Sequence, residues 1–138
     1  MGNLYQLLYT SKAREELDAE ELCELLNETS NNNTSARITG MLILRDGVFL
    51  QMLEGEKESV LEIFSLIKED SRHGEVVILS DESIEEREFD NYRMCFDSSF
   101  EKTFKQMPNY STIKETRSIL ETVSTGKTAL NALKNMVA

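Results

Sequence analysis

Gln51 stands inside the apolar run Val48-Phe49-Leu50-Gln51-Met52-Leu53. A buried carboxamide has two donors and two acceptor lone pairs, and leaving them unpaired costs roughly 1–3 kcal/mol. Either the rest of the chain or a bound molecule must meet them. Tyr9 lies in a second apolar stretch, Leu4 to Thr10, and Asn32 and Asn33 close a helical pattern. Residues i and i+2 of a strand share a face, so Gln51 goes with Phe49 and Leu53, and Tyr9 with Tyr5 and Leu7. If the two strands are neighbours, a phenol and several amides meet in an apolar cleft beneath two helices. Arg72 and His73, expected at the end of the second helix, add polar groups there. Such a cluster suits a planar heteroaromatic ligand with polar edges. The alternative is a satisfied polar network inside a ligand-free interaction module of the same fold.

Other chemistries find little support. Ser124-Thr-Gly-Lys-Thr128 resembles the end of a phosphate-binding loop, but Glu121 stands where the motif needs its first glycine and no strand precedes it. His73 is the only histidine, so no His-rich metal site can form, and no metal is expected. Glu15/Glu16 and Glu85/Glu86 sit in charged, solvated settings, unlike a glycosidase pair. No GxSxG stretch and no Ser-His-Asp set stands out. A non-enzymatic role is expected.

The elements that must position the polar cluster are legible from periodicity. Strand 1 spans Leu4 to Thr10. Asp18-Ala-Glu-Glu21 reads as a capping box opening a helix with Leu22, Leu25, Leu26 and Thr29 on one face, and Asn31 to Asn33 are expected to end it. Ile38 to Leu44 and Val48 to Leu53 read as a hairpin around Asp46-Gly47. Gly55 is expected to break the second of these strands. Val60, Ile63, Phe64 and Ile67 mark a second helix to about Asp70, followed by a strand from Glu75 to Ser80 and a short one from Tyr92 to Phe96. The order β-α-β-β-α-β plus a fifth short strand predicts an α+β, ferredoxin-like mixed sheet with two helices on one face. Val48, Leu50 and Met52 then need cover on the other face. The tail after Pro108 is expected to supply it, through one helix bearing Ile113, Leu120 and Val123 and, after Gly126, another bearing Ala129, Leu130, Leu133 and Val137. The expected division is a domain over residues 1–100 and a helical extension over 101–138.

The chain has 138 residues and a net charge of −10. Residues 1–100 carry 9 Lys/Arg and 22 Asp/Glu, net −13, while residues 101–138 carry 6 and 3, net +3. An acidic body argues against nucleic-acid binding, which requires a basic face. No signal peptide and no apolar run long enough for a membrane span stands in the sequence, so a cytoplasmic protein without a membrane role is expected. Cys23 and Cys95 have no metal-ligand spacing and read as reduced packing residues.

Five stretches, "LYQLLYTS", "NNNTSARITGML", "GVFLQMLEGE", "EDSRH" and "NYRM", occur in order and at spacings that closely resemble the BLUF family of flavin-based blue-light sensors. The resemblance covers about residues 3–97. It implies a flavin, FAD with FMN or riboflavin as alternatives, held between the two helices. Tyr9 would be the photoactive tyrosine and Gln51 the glutamine between it and the flavin edge, with Met94 close by on the fifth strand. Asn33 would hydrogen-bond the ring carbonyls beside Asn32, and Leu25 and Ile67 would sandwich the ring. Leu42 and Phe49 would complete the pocket. Arg72, with His73, would lie on the phosphate side. Tyr92 stands where many members have Trp, and Leu66 where some have a basic residue. A cysteinyl-adduct photosensor is a poorer match, because Gly47-Val48 precede "FLQ" where that chemistry needs a reactive Cys. With nothing fused after residue 138, output is expected through a downstream protein partner or a homo-oligomer.

Overall fold

The computed structural model describes residues 3–14, 18–96, 110–122 and 128–137. Its elements are β1 (Leu4–Ala13), α1 (Ala19–Ser35), β2 (Thr39–Arg45), β3 (Val48–Glu56), α2 (Lys57–Glu69), β4 (His73–Ser83), β5 (Tyr92–Phe96), β6 (Tyr110–Ser111), α3 (Ile113–Thr122) and α4 (Thr128–Met136). The sheet order is β4-β1-β3-β2-β5-β6. The first four strands pair antiparallel, and β5 and β6 add parallel strands beside β2. This is the expected ferredoxin-like mixed sheet with a further two-residue strand, β6. Asp46 and Gly47 both adopt positive φ, 53° and 77°, as a tight hairpin turn between β2 and β3 requires.

Local signals and tertiary contacts divide the control of element ends. The capping box forms: Asp18 Oδ1 accepts from Glu21 N at 2.8 Å, and Glu21 Oε1 accepts from Asp18 N at 3.5 Å. The asparagine run does not end α1, which continues to Ser35. Asn33 is drawn inward by Gln51, and the helix stops where Arg37 takes a positive φ of 58°. Nor does Gly55 break β3. It pairs with Tyr5, and a Cβ there would lie 2.8 Å from Ile38 Cδ1, so the glycine admits close packing within a continuous strand. Arg72 and His73 do not end α2 either. The helix stops at Glu69 with Asp70 as its C-cap, Arg72 lies in the turn, and His73 opens β4.

Strand parity gives the sheet two buried faces. On one, α1 packs Leu22, Leu25 and Leu26 against Leu42, Leu44, Phe49, Tyr92 and Met94. On the same face, α2 packs Val60, Ile63 and Phe64 against Tyr5, Leu7, Tyr9 and Leu53. The opposite face gathers Leu8, Met41, Ile43, Leu50, Met52, Phe89 and Cys95 under Leu120, Leu133 and Val137 of the C-terminal segment. That segment is therefore the cover that Leu50 and Met52 require. Thr112 and Glu115 open α3 with a second capping box, and Arg45 Nη1 donates to Met136 O at 2.8 Å. Pro108, Val123, Gly126 and the 100/101 division lie outside the described residues, as do the side chains of Ala129 and Leu130. Among the described residues, no helix is long and apolar enough to cross a membrane, and no cluster of three His, Cys, Asp or Glu is placed to hold a metal.

Candidate functional site

One row of the sheet carries the chemistry. Tyr9 of β1 pairs with Gln51 of β3, Gln51 with Leu42 of β2, and Leu42 with Met94 of β5. Directly paired residues point to the same face. All four therefore project beneath α1 and α2, on the face the parity argument assigns to them. The condition set by the sequence, that strands 1 and 3 be neighbours, is met.

Gln51 is the hub. Its Nε2 donates to Tyr9 Oη at 2.5 Å. Its Oε1 accepts from Tyr92 Oη at 2.5 Å and from Asn33 Nδ2 at 3.3 Å. The amide orientation follows from this network, since a phenol both donates and accepts while Asn33 presents its NH2. Burial pushes the Tyr9 phenol well above its ordinary range, partly opposed by the Gln51 bond and reinforced by Asp70. Burial also raises Tyr92, with the neighbouring Tyr9 as a further cause. Both phenols keep their protons at neutral pH.

Above this row the two helices leave a cleft with about 570 Å³ of empty space, part of it open to solvent. Tyr9, Leu42, Phe49 and Gln51 line its floor, and Leu25 and Ile67 its walls. Asn32, Asn33, Arg72 and His73 also line it, so all ten cofactor contacts expected from the sequence converge on one cavity. Met94 is buried beside Leu42 and Phe49, beneath the lining. The cleft also takes Leu66, noted above for standing where some members have a basic residue, and Leu26, Glu28, Thr29, Ile63 and Asp70, which sequence reasoning did not single out as site residues.

The polar rim is heavily engaged. Arg72 Nη2 reaches Asp70 Oδ2 at 2.7 Å and, across the cleft, Glu28 Oε2 at 2.6 Å. Arg72 holds the Asp70 carboxyl below its usual range. His73 has both ring nitrogens in contact, Nδ1 with Ser11 Oγ and Nε2 with the Ile67 carbonyl, each at 2.8 Å. The carbonyl can only accept, so Nε2 carries a proton and donates. One atom of the hub lacks a partner: Asn33 Oδ1, on a residue with 0% exposure.

That orphan tests whether a flavin suits the site. A buried acceptor without a donor carries a desolvation cost of about 1–3 kcal/mol. A ligand that completes Asn33 must therefore present a donor, and the imide N–H of a flavin ring is one. The flat apolar walls and the amide edge fit the same group.

Residues 4–95 match the BLUF family, described as sensors of blue-light using FAD. The chain belongs to the BLUF family. Its BLUF domain resembles that of photoactivated adenylate cyclase subunit alpha from Euglena gracilis, with 35% identity over 86 residues, 62% of this chain and 8% of that protein. It also resembles two solved BLUF structures. The photo-activated state of BlsA gives a TM-score of 0.65 at 26% identity, covering 98% of this chain and 96% of that one. BlrB in its dark state gives 0.65 at 26% identity, covering 86% and 79%. BLUF domains of this kind are flavin-based blue-light sensors, so the module's role as a light sensor follows from family membership. The matched curated cyclase is far longer than this chain, and its catalytic activity is a property of that protein.

Proposed function

We propose that this chain is a non-enzymatic blue-light receptor that holds FAD between α1 and α2 and signals non-covalently through its C-terminal helices to a protein partner or a change in oligomeric state. The observation that carries the reading is the Gln51 hub, a carboxamide between two phenols at the floor of an apolar cleft, next to an unsatisfied Asn33 acceptor.

A bound flavin supplies the blue-light chromophore and, once excited, an oxidant. Leu25 and Ile67 would flank the ring, and Asn33 with Asn32 would orient its polar edge. Arg72, held between Glu28 and Asp70, would lie toward the phosphate side. In this reading Tyr9 would give an electron and its Oη proton to the excited chromophore and take both back, leaving no net oxidation. Gln51 is hydrogen-bonded to that oxygen and forms new hydrogen bonds as the proton returns. With the amide turned, Oε1 accepts from Tyr9 Oη. Its nitrogen end then faces Tyr92 Oη, now an acceptor, and Asn33, whose Oδ1 can accept once its own amide turns. A phenol can serve either orientation, which makes two tyrosines suitable partners for a switching amide.

The test is an absorption spectrum of the purified, flavin-loaded chain in darkness and under blue light. A small red shift that reverses in the dark supports the reading. Bleaching of the blue band, or no response, overturns it.

A further inference from the structure

Glu54 follows Gln51 by three residues on β3 and therefore faces the opposite side of the sheet. It has 0% exposure. An ionised carboxylate in such a place requires several hydrogen bonds to offset its desolvation. Glu54 has them. Oε2 accepts from Gln6 Nε2 at 2.8 Å and from Glu88 N at 2.9 Å, and Oε1 accepts from Phe89 N at 2.9 Å and Glu88 N at 3.1 Å. Its backbone carbonyl also accepts from Arg87 Nη1 at 3.0 Å, and the same nitrogen donates to Thr39 Oγ1 at 2.8 Å. Three successive residues of the β4–β5 connection are thus tied to one residue of β3.

The other end of this segment is tied to β3 as well, because Tyr92 Oη donates to Gln51. Residues 87–92 are strung between two anchors three residues apart on one strand, one on each face of the sheet. Between the anchors, Phe89 inserts its ring into the cluster with Leu120, Leu133 and Val137. A change at Gln51 that alters the Tyr92 bond acts on one end of the segment, while Glu54 holds the other.

We propose that Glu54 is a positioning residue that makes the 87–92 segment a lever, converting rearrangement at Gln51 into movement of Phe89 against α3 and α4. This rests on the photoreceptor reading above. Glu54 touches neither the cleft nor the groups that line it, so the two can be separated by experiment. An unsatisfied atom sits here too: Gln6 Oε1 is buried without a partner. In Glu54→Gln, the new NH2 can donate to that atom once the Gln6 amide turns, so the variant keeps its size and a hydrogen-bonded pair while its hold on Glu88 and Phe89 changes from charge-assisted to neutral. Glu54→Met keeps the length and removes the hold.

The experiment is hydrogen exchange on the full, flavin-loaded chain in darkness and under steady blue light, with the absorption shift recorded on the same samples. In the dark, Glu54→Gln is expected to lower protection of the Glu88 and Phe89 amides roughly tenfold, the difference between charged and neutral hydrogen bonds. Its red shift should match the wild type, and its light-minus-dark exchange difference in α3 and α4 should shrink. In Glu54→Met the spectral shift should persist with no exchange difference in α3 and α4. A wild-type exchange difference in Glu54→Gln overturns the lever, and so does loss of the spectral shift in that variant, because Glu54 would then support the photosite itself. Glu54→Gln carries the test alone if Glu54→Met does not fold. A wild-type chain with no spectral shift would instead overturn the photoreceptor reading.

Discussion

Removing one hydroxyl at Tyr92 tests the hub most sharply. Tyr92→Phe keeps the ring packed against the α1-side cluster and deletes the 2.5 Å bond to Gln51 Oε1. That oxygen retains only Asn33 Nδ2, at 3.3 Å. A typical buried hydrogen bond contributes about 0.5–1.5 kcal/mol net. For a chain of this length that corresponds to a melting temperature lower by about 2–6 °C. The kinetic effect follows from the same number. The phenol can donate to Oε1 in one amide orientation and accept from Nε2 in the other, so it stabilises both end states and neither bond survives midway through the turn. Deleting it lowers the barrier by about 0.5–1.5 kcal/mol, which accelerates dark recovery roughly 2- to 13-fold. The assay is the decay of the red-shifted absorption after a light pulse, beside a thermal melt. Recovery that is unchanged or slower, with the melt lowered as expected, would refute the view that Tyr92 holds both orientations of the amide.

Four further outcomes are expected. Tyr9→Phe should bind flavin and lose the light-induced red shift, because the ring still packs while the phenolic proton and the accessible electron are gone; a normal shift would remove Tyr9 from its role. Gln51→Ala should fold and bind flavin but lose the wild-type shift and recovery, read from the same spectra. Both buried phenols have folded pKa values raised above their unfolded value of about 10, so the stability tied to their neutral forms is complete below that pH and falls as pH rises above it. The loss can reach about 2.7 kcal/mol per pH unit for the two together, and Tyr92→Phe should halve the slope in alkaline urea titrations. Burial likewise raises the Glu54 carboxyl, opposed by the bonds from Glu88, Gln6 and Phe89. The folded state therefore binds more protons just above the unfolded carboxylate pKa of about 4.3, and stability should fall as pH rises through that window, less so in Glu54→Gln.

Much of the fold was legible because its signals are local and mutually consistent. Asp18 and Glu21, the Asp46-Gly47 turn and the apolar stripe of α2 each act within a few residues, and the structure honours all three. The errors came where a distant partner outweighed a local preference. Asn31 to Asn33 favour a helix end in isolation, but Asn33 gains a buried bond to Gln51, 18 residues away, and the helix continues over it. Gly55 looks like a break and is a point of close approach to Ile38. The need for a second buried face was readable from the double parity of β3. The two-residue β6 left no periodic signal, and the parallel pairing that places it depends on β5 being beside β2.

For the site, residue types and strand parity were enough to bring Tyr9 and Gln51 together, because their faces are set once strand neighbours are assigned; Asn33 was expected nearby only as a helix end, and it is a residue within α1. The role of Tyr92 was hidden for a geometric reason. It pairs with Gly40, one strand and two residues removed from the Gln51–Leu42 row, and only the length of a tyrosine side chain carries its hydroxyl back to the carboxamide. Parity places it on the correct face through Met94, two residues later, but cannot measure that reach. The same limit applies to the opening puzzle of a glutamine in an apolar strand. The chain meets Gln51 Oε1 with two donors, Tyr92 and Asn33, and its amide with one acceptor, Tyr9. The unmet demand is passed one residue further, to Asn33 Oδ1. A network that ends on an unpaired buried acceptor, on a residue lining a cleft, can be completed by a donor from outside the chain. On that argument Asn33→Leu, which removes both the orphan and its cost, should raise the stability of the flavin-free protein relative to Gln51→Ala while weakening flavin binding. Titration of each variant with FAD, read by flavin fluorescence, checks it, and undiminished affinity in Asn33→Leu would show that the orphan has no part in holding the ligand.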